Sequence, residues 1–154
     1  MEFMKTSFVP DNFEIPLILE TEKFRLRMLS VDDVEKDYEA VIESRDLLHK
    51  MFGGPSPREG FTVEENLKDL QRHQQEFLNR ERFAYTVVSL DESKVLGCLY
   101  INPPEERTDN KPYAMMWVRQ TEYDKGLDDI LFQTVKKWIK DDWPFDEMIF
   151  PKRE

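Results

Sequence analysis

The chain predicts an α+β domain: a mixed, mostly antiparallel sheet in the element order β-α-α-β-β-β-α-β, with helices on both faces. Three observations carry this. Phe24, Leu26 and Met28 alternate with Lys23, Arg25 and Arg27, the period of a half-buried strand. Phe83 to Leu90 and Lys94 to Ile101 are rich in β-branched and aromatic residues and flank the turn-forming Asp91-Glu92-Ser93, as an antiparallel hairpin requires. The strand-like run Tyr113 to Val118 is followed by a short polar loop and an amphipathic helix, and only this last crossover leaves room for a parallel pair.

The elements follow in order. Met1 to Pro16, with Pro10 and Pro16 among scattered phenylalanines, reads as an extended arm lying on the domain. The first strand falls within Leu17 to Leu29. Ser30 with Asp33 resembles a capping box, and Val31, Val34, Tyr38, Val41 and Ile42 recur at helical spacing, so a helix is expected to about Asp46. His49 to Gly60 holds Gly53, Gly54, Pro55, Pro57 and Gly60 and is expected to be a loop. Thr62 with Glu65 opens a second helix whose stripe Val63, Leu67, Leu70, Phe77 and Leu78 ends near Arg80. The hairpin follows and Pro103-Pro104 stops it. After the charged stretch Glu105 to Lys111 come the strand Tyr113 to Val118 and a helix marked by Leu127, Ile130, Leu131, Val135, Trp138 and Ile139; Met148 to Phe150 is a short closing strand.

Composition excludes whole classes. The 154 residues, 40% apolar and 12% aromatic, make one domain with a core, residues 1–154 as a single unit, and argue against disorder. The net charge of −10, with no basic stripe, excludes a direct nucleic-acid ligand. The lone Cys98 suits a reducing compartment, no cluster has metal-ligand spacing, and the longest apolar run, Val95 to Ile101, is too short for a bilayer. The expectation is a cytoplasmic protein with no metal and no membrane partner.

The segment Tyr113 to Ile139 carries the most functional information. A strand feeding a glycine-containing loop at a helix N-terminus is a common phosphate site, because free backbone N–H groups and the helix dipole converge there. Here the loop is acidic and holds one glycine, Gly126.

Taken together, the residues resemble a known family. Leu19-Glu-Thr-Glu-Lys-Phe-Arg-Leu-Arg-Met-Leu-Ser-Val-Asp-Asp33, with Phe83-Ala-Tyr-Thr-Val87, Gly97-Cys-Leu-Tyr-Ile-Asn102, Trp117-Val-Arg119 and Phe150-Pro-Lys-Arg-Glu154, resembles the GNAT (Gcn5-related) N-acetyltransferases. The similarity is to a small, C-terminally short subgroup near the ribosomal-protein N-terminal acetyltransferases. The resemblance implies acetyl transfer from acetyl-CoA, as co-substrate, to an amine carried by a small molecule or a peptide. It implies that backbone groups of Trp117, Val118 and Arg119 pair with the pantetheine arm and polarise the thioester, and that Lys125, Gly126 and Leu127 take the pyrophosphate.

The chain departs from the family pattern in two places. The phosphate pattern Gln/Arg-x-x-Gly-x-Gly/Ala falls on Tyr123-Asp-Lys-Gly-Leu-Asp128, where only Gly126 matches. A carboxylate within ~4 Å of a phosphate costs on the order of a few kcal/mol at an effective dielectric near 20. Lys125, Lys136 and Arg119 are the cations at hand to offset it, and Asp128 can instead serve the first turn of its helix. The family also usually continues past the fifth strand, into a region that often supplies a tyrosine as general acid; either a shortened sheet is tolerated, or a partner chain covers the exposed edge, and a homodimer is the expectation.

Other residues read structurally first. Cys98 reads as a small core residue, His49 and His73 as structural or solvent-facing, and Met115, Met116 and Trp117 as packing. Tyr100, Tyr113 and Glu122 become proton-transfer candidates only beside a cleft. The catalytic residues are unassigned. Two readings remain: a GNAT-like N-acetyltransferase, or a non-catalytic binding or dimerisation module with a degenerate phosphate loop.

Overall fold

A computed structural model describes residues 8–153. Five antiparallel strands run in sequential order: β1 (Ile18–Glu20), β2 (Arg25–Met28), β3 (Phe83–Val88), β4 (Val95–Asn102) and β5 (Tyr113–Val118). The helices are α1 (Val34–Glu43), α2 (Arg45–Phe52), α3 (Val63–Leu78), α4 (Gln120–Asp124) and α5 (Leu127–Asp142). One parallel bridge, Tyr113 to Ile149, brings the last segment to the outer edge of β5. The α+β class and helices on both faces are as the sequence predicts.

Alternation along the central strands divides the core in two. Phe83, Tyr85 and Val87 of β3, and Ala114, Met116 and Val118 of β5, pack toward α5 through Leu131, Val135, Trp138 and Ile139. Ala84 and Val88, with Cys98 and Trp117, pack toward Ala40, Leu48 and Leu70 of α1, α2 and α3. In β4 the register slips: Val87 pairs with Gly97 but Val88 pairs with Val95, so Leu96 is an extra residue, a β-bulge. Gly97 sits there because a Cβ would lie 2.0 Å from the Trp117 carbonyl oxygen.

Where local chemistry is explicit, the expected boundaries match. Thr62 accepts the Glu65 N–H at 3.2 Å and starts α3 at Val63. Three elements differ from expectation. The single first strand is a hairpin, because the Thr21 hydroxyl accepts the Lys23 and Phe24 N–H groups and reverses the chain while Phe24 is buried. The first helix breaks at Ser44, and the second piece, α2, occupies the start of the expected loop up to Phe52. The segment Met148 to Phe150 makes a single bridge instead of a paired strand. Of the expected arm, residues 1–7 lie outside the described residues; Phe8 stacks on Phe145, and Phe13 packs near Trp143.

Candidate functional site

A crevice opens where β5 and the last segment part. The Ala114 N–H donates to the Ile149 carbonyl at 2.9 Å, and beyond that bridge no strand covers the edge of β5 among the described residues. Backbone groups alternate sides along a strand. Ala114 points outward, and Arg119 points inward, its N–H donating to the Leu96 carbonyl at 2.7 Å. The backbone groups of Met116 and Val118 therefore point away from β4, Met116 into the crevice, and those of Trp117 and Arg119 face β4. Of the three backbone positions taken from the sequence, Val118 alone points outward, and Met116 is a neighbour the sequence reading did not name. The crevice holds about 300 Å³ and is lined by Met51, Phe52, Met116, Tyr123, Asp128 and Arg153, among others.

The loop beyond β5 is more structured than expected. It forms the short helix α4, then Gly126 at φ 88°, then α5. A Cβ at Gly126 would meet nothing within 4 Å, so the glycine serves the left-handed turn and not a close packing contact. Leu127 is buried at the head of α5, and Lys125 is exposed, 3.7 Å from Glu122. Asp128 turns toward Arg153: Nη1 lies 2.8 Å from Oδ2 and Nη2 2.9 Å from Oδ1, while Nη2 also donates to the Met116 carbonyl at 3.0 Å.

Arg119 is 4% exposed and occupied elsewhere. Its guanidinium binds Glu43 at 2.8 and 3.1 Å, Glu39 at 2.9 Å and the Val95 carbonyl at 3.1 Å. Beside it, the Glu43 carboxyl is pulled from its ordinary 4.5 to about 2. Glu43 also accepts from Thr121, and Ser44 accepts the Gln120 N–H, so the bend between α1 and α2 fixes the start of α4.

On the opposite face of the sheet lies a second cavity, of about 470 Å³, between β4, β5 and helices α1 to α3. Asp37 of α1 is 3% exposed there. Its Oδ2 accepts the Asn66 Nδ2–H at 2.9 Å, and the Cys98 thiol lies 3.7 Å from Oδ1. Burial pushes the carboxyl from 3.8 up to about 6. Tyr100 accepts from the Trp117 indole at 3.3 Å and lies two residues from Cys98 on the same face of β4, so polar side chains line that face between Trp117 and Asp37. Burial raises both Cys98 and Tyr100 well above their usual values, keeping them neutral. His73, packed 5.3 Å from Tyr100, is held down at about 4 by burial and is neutral at neutral pH.

The structure thus sets Tyr100 beside a cleft, with Ser56 and Pro57 of the glycine-rich loop on its wall. Tyr113 instead accepts from Arg107 at 2.9 Å, Glu122 faces Lys125, and His49 contacts the Pro57 carbonyl. Sequence reasoning missed Asp37, although the signal was present: it interrupts the Val34 and Val41 stripe with a carboxylate on the buried side of α1. Among the described residues no group of acidic, histidine or cysteine side chains has the arrangement of a metal site, and no helix is long and apolar enough to cross a membrane.

No protein-family model matches the sequence, and no curated protein matches it. Solved structures do share its architecture. A ribosomal-protein-S5-alanine acetyltransferase from Vibrio fischeri superposes with TM-score 0.64 at 16% identity, covering 80% of this chain and 67% of that one. A ribosomal L7/L12 alpha-N-protein acetyltransferase, RimL, in complex with coenzyme A gives TM-score 0.65 at 16% identity over 82% and 70% of the two chains. A microcin C7 self-immunity acetyltransferase in complex with acetyl-CoA and AMP gives 0.62 at 13% identity over 79% and 63%. The chain spans about two thirds of the length of these structures.

Proposed function

We propose that this chain, which carries the fold of the GNAT acetyltransferases, is an acetyl-CoA-dependent N-acetyltransferase whose acceptor is an amine. The observation that carries the reading is the shared wall of the two cavities: Phe52 and Met115 line both the crevice outside β5 and the cavity under α1 to α3. A coenzyme in one and an acceptor in the other would meet there.

The residues present suit the coenzyme. Met116 and Val118 offer outward backbone groups of the kind that pair with the amides of an extended pantetheine arm. The head of α5, entered through Gly126 and Leu127, offers N–H groups and a favourable dipole to a diphosphate. Lys125, exposed beside that turn, adds a cation. Acetyl-CoA would supply the activated acyl group. Arg153 neutralises Asp128 and thereby removes the repulsion its charge would cause, but the Met116 carbonyl must be released before it can serve a ligand.

Calorimetry with coenzyme A tests the reading directly. Binding in the micromolar range, with thiol release from acetyl-CoA in the presence of amines, is the expected result. Absence of binding at millimolar coenzyme would leave the second reading, a non-catalytic module, which the present engagement of Met116 by Arg153 favours. A homodimer belongs to the proposal as well, through β1 instead of the edge beyond β5 to which the sequence points: Leu17 and Ile18 are each 57% exposed at that outer edge of the sheet, a surface suited to pairing between copies. Strictly monomeric sedimentation at micromolar concentration would remove it. We place the enzyme in the cytoplasm, where its lone cysteine is at home.

A further inference from the structure

We infer that the cavity under α1 and α3 takes its ligand as a small primary amine with an apolar or aromatic body, the ammonium group being held by Asp37. That this ligand is the acetyl acceptor rests on the transferase reading; the binding itself does not.

Charge pairing inside the cavity singles out Asp37. Three carboxylates line it. Asp69 has Arg72 at 3.6 Å, and Glu76 has Arg82 at 3.6 Å. Asp37 is the most deeply buried and has no cation within ion-pair distance among the described residues. Its contacts, Asn66 and Cys98, are neutral hydrogen-bond donors. The other carboxylates facing it, Asp33 just before α1 and Asp69 on α3, each have an arginine of their own, Arg27 and Arg72, and bring no positive charge to Asp37. His73 contributes no compensating charge at neutral pH. A buried carboxylate without a counter-ion is costly, and a ligand cation removes that cost.

The walls match the rest of such a ligand. Phe52, Phe61, Tyr100 and Trp117 present four aromatic rings, which favour an ammonium by cation–π attraction and an apolar body by burial. Glu76 leaves Oε1 buried and without a hydrogen-bond partner among the described residues, a further acceptor for an ammonium N–H. The volume, about 470 Å³, is that of a small-molecule site, in the range of about 300–1,000 Å³. Arg72 and Arg82, each with its own carboxylate, disfavour a second cation on the ligand.

Three probes of one shape test this by calorimetry without coenzyme: phenethylamine, phenethyl alcohol and 3-phenylpropionate. The amine is expected to bind about ten-fold or more tightly than the alcohol, with no measurable binding of the acid. Asp37→Asn should abolish the preference for the amine while leaving the alcohol unchanged. Equal affinities of amine and alcohol, or a preference that survives in Asp37→Asn, would overturn the inference. A wild-type measurement guards against a misfolded variant: the Asp37 carboxyl, followed by carbon NMR, should titrate at lower pH when phenethylamine is present, and an unmoved titration is equally fatal. Amine selectivity without coenzyme A binding would sink the transferase reading alone. Coenzyme A binding without amine selectivity would sink this inference alone.

Discussion

The Arg153 guanidinium grips Asp128 through two hydrogen bonds, at 2.8 and 2.9 Å, and with the same Nη2 reaches the Met116 carbonyl at 3.0 Å. One ion pair therefore answers two questions about the crevice. It neutralises the acidic residue at the head of α5, and it occupies the backbone acceptor that a pantetheine arm would use under the proposed function.

If that grip competes with coenzyme, removing both partners favours binding without changing net charge. The double substitution Arg153→Ala with Asp128→Ala should tighten coenzyme A binding by about ten-fold, the equivalent of one charge-assisted hydrogen bond no longer broken. Calorimetry of the pair of proteins measures it. Unchanged affinity would mean that Arg153 leaves Met116 at no cost or that coenzyme binds elsewhere.

Asp37 is predicted to work against stability. Its folded value, about 6, lies above the ordinary 3.8, so the stability tied to its proton is fully present below about pH 4 and is lost as pH rises through 6. Asp37→Asn keeps an acceptor for Asn66 and removes the buried charge. It should raise stability at pH 7 by on the order of 2 kcal/mol, or several degrees in Tm, and give no gain at pH 4. Thermal melts at the two pH values check this; a loss of stability at pH 7 would contradict it.

The Arg119 cluster has the opposite sign. Glu43 is held at about 2, below its ordinary 4.5, so its pairing stabilises the fold fully above about pH 4.5 and is lost as pH falls toward 2. Arg119→Met strands Glu43 beside Glu39 and should cost about 3 kcal/mol at pH 7, less at pH 3, in urea unfolding. A cost that stays constant between the two would refute the electrostatic origin.

Gly97→Ala brings a methyl group to 2.0 Å from the Trp117 carbonyl and 2.9 Å from the Val118 Cα, both rigid backbone. The β4 to β5 pairing must open, with an expected loss of about 3 kcal/mol or more. A variant within about 0.5 kcal/mol of wild type by denaturation would show that the bulge relaxes freely.

Features written in local chemistry could be read from the chain. Thr62 announced α3, the Asp91 turn announced the hairpin, and the Leu127 to Ile139 stripe announced α5. The break at Ser44 was not legible, because its hydroxyl is committed to Gln120, 76 residues away. Side-chain partners within the candidate site were hidden for the same reason. Arg119 offered itself in the sequence as a cation to offset Asp128, and its commitment to Glu39 and Glu43 exists only once the fold brings them together. Which edge of β5 each backbone group faces depends on pairing with β4, and no side-chain pattern encodes it directly.

The bulge at Leu96 has a use. Val88 faces Val95 and Val87 faces Gly97, so Leu96 is the one residue between them with no opposite number on β3. Deleting it would let β4 run as an unbroken ladder, with Cys98 and Leu99 still in their own layers. What would go is the isobutyl group it buries on the α5 side and the carbonyl that receives the Arg119 N–H at 2.7 Å, the rung that ties the end of β5 to its neighbour.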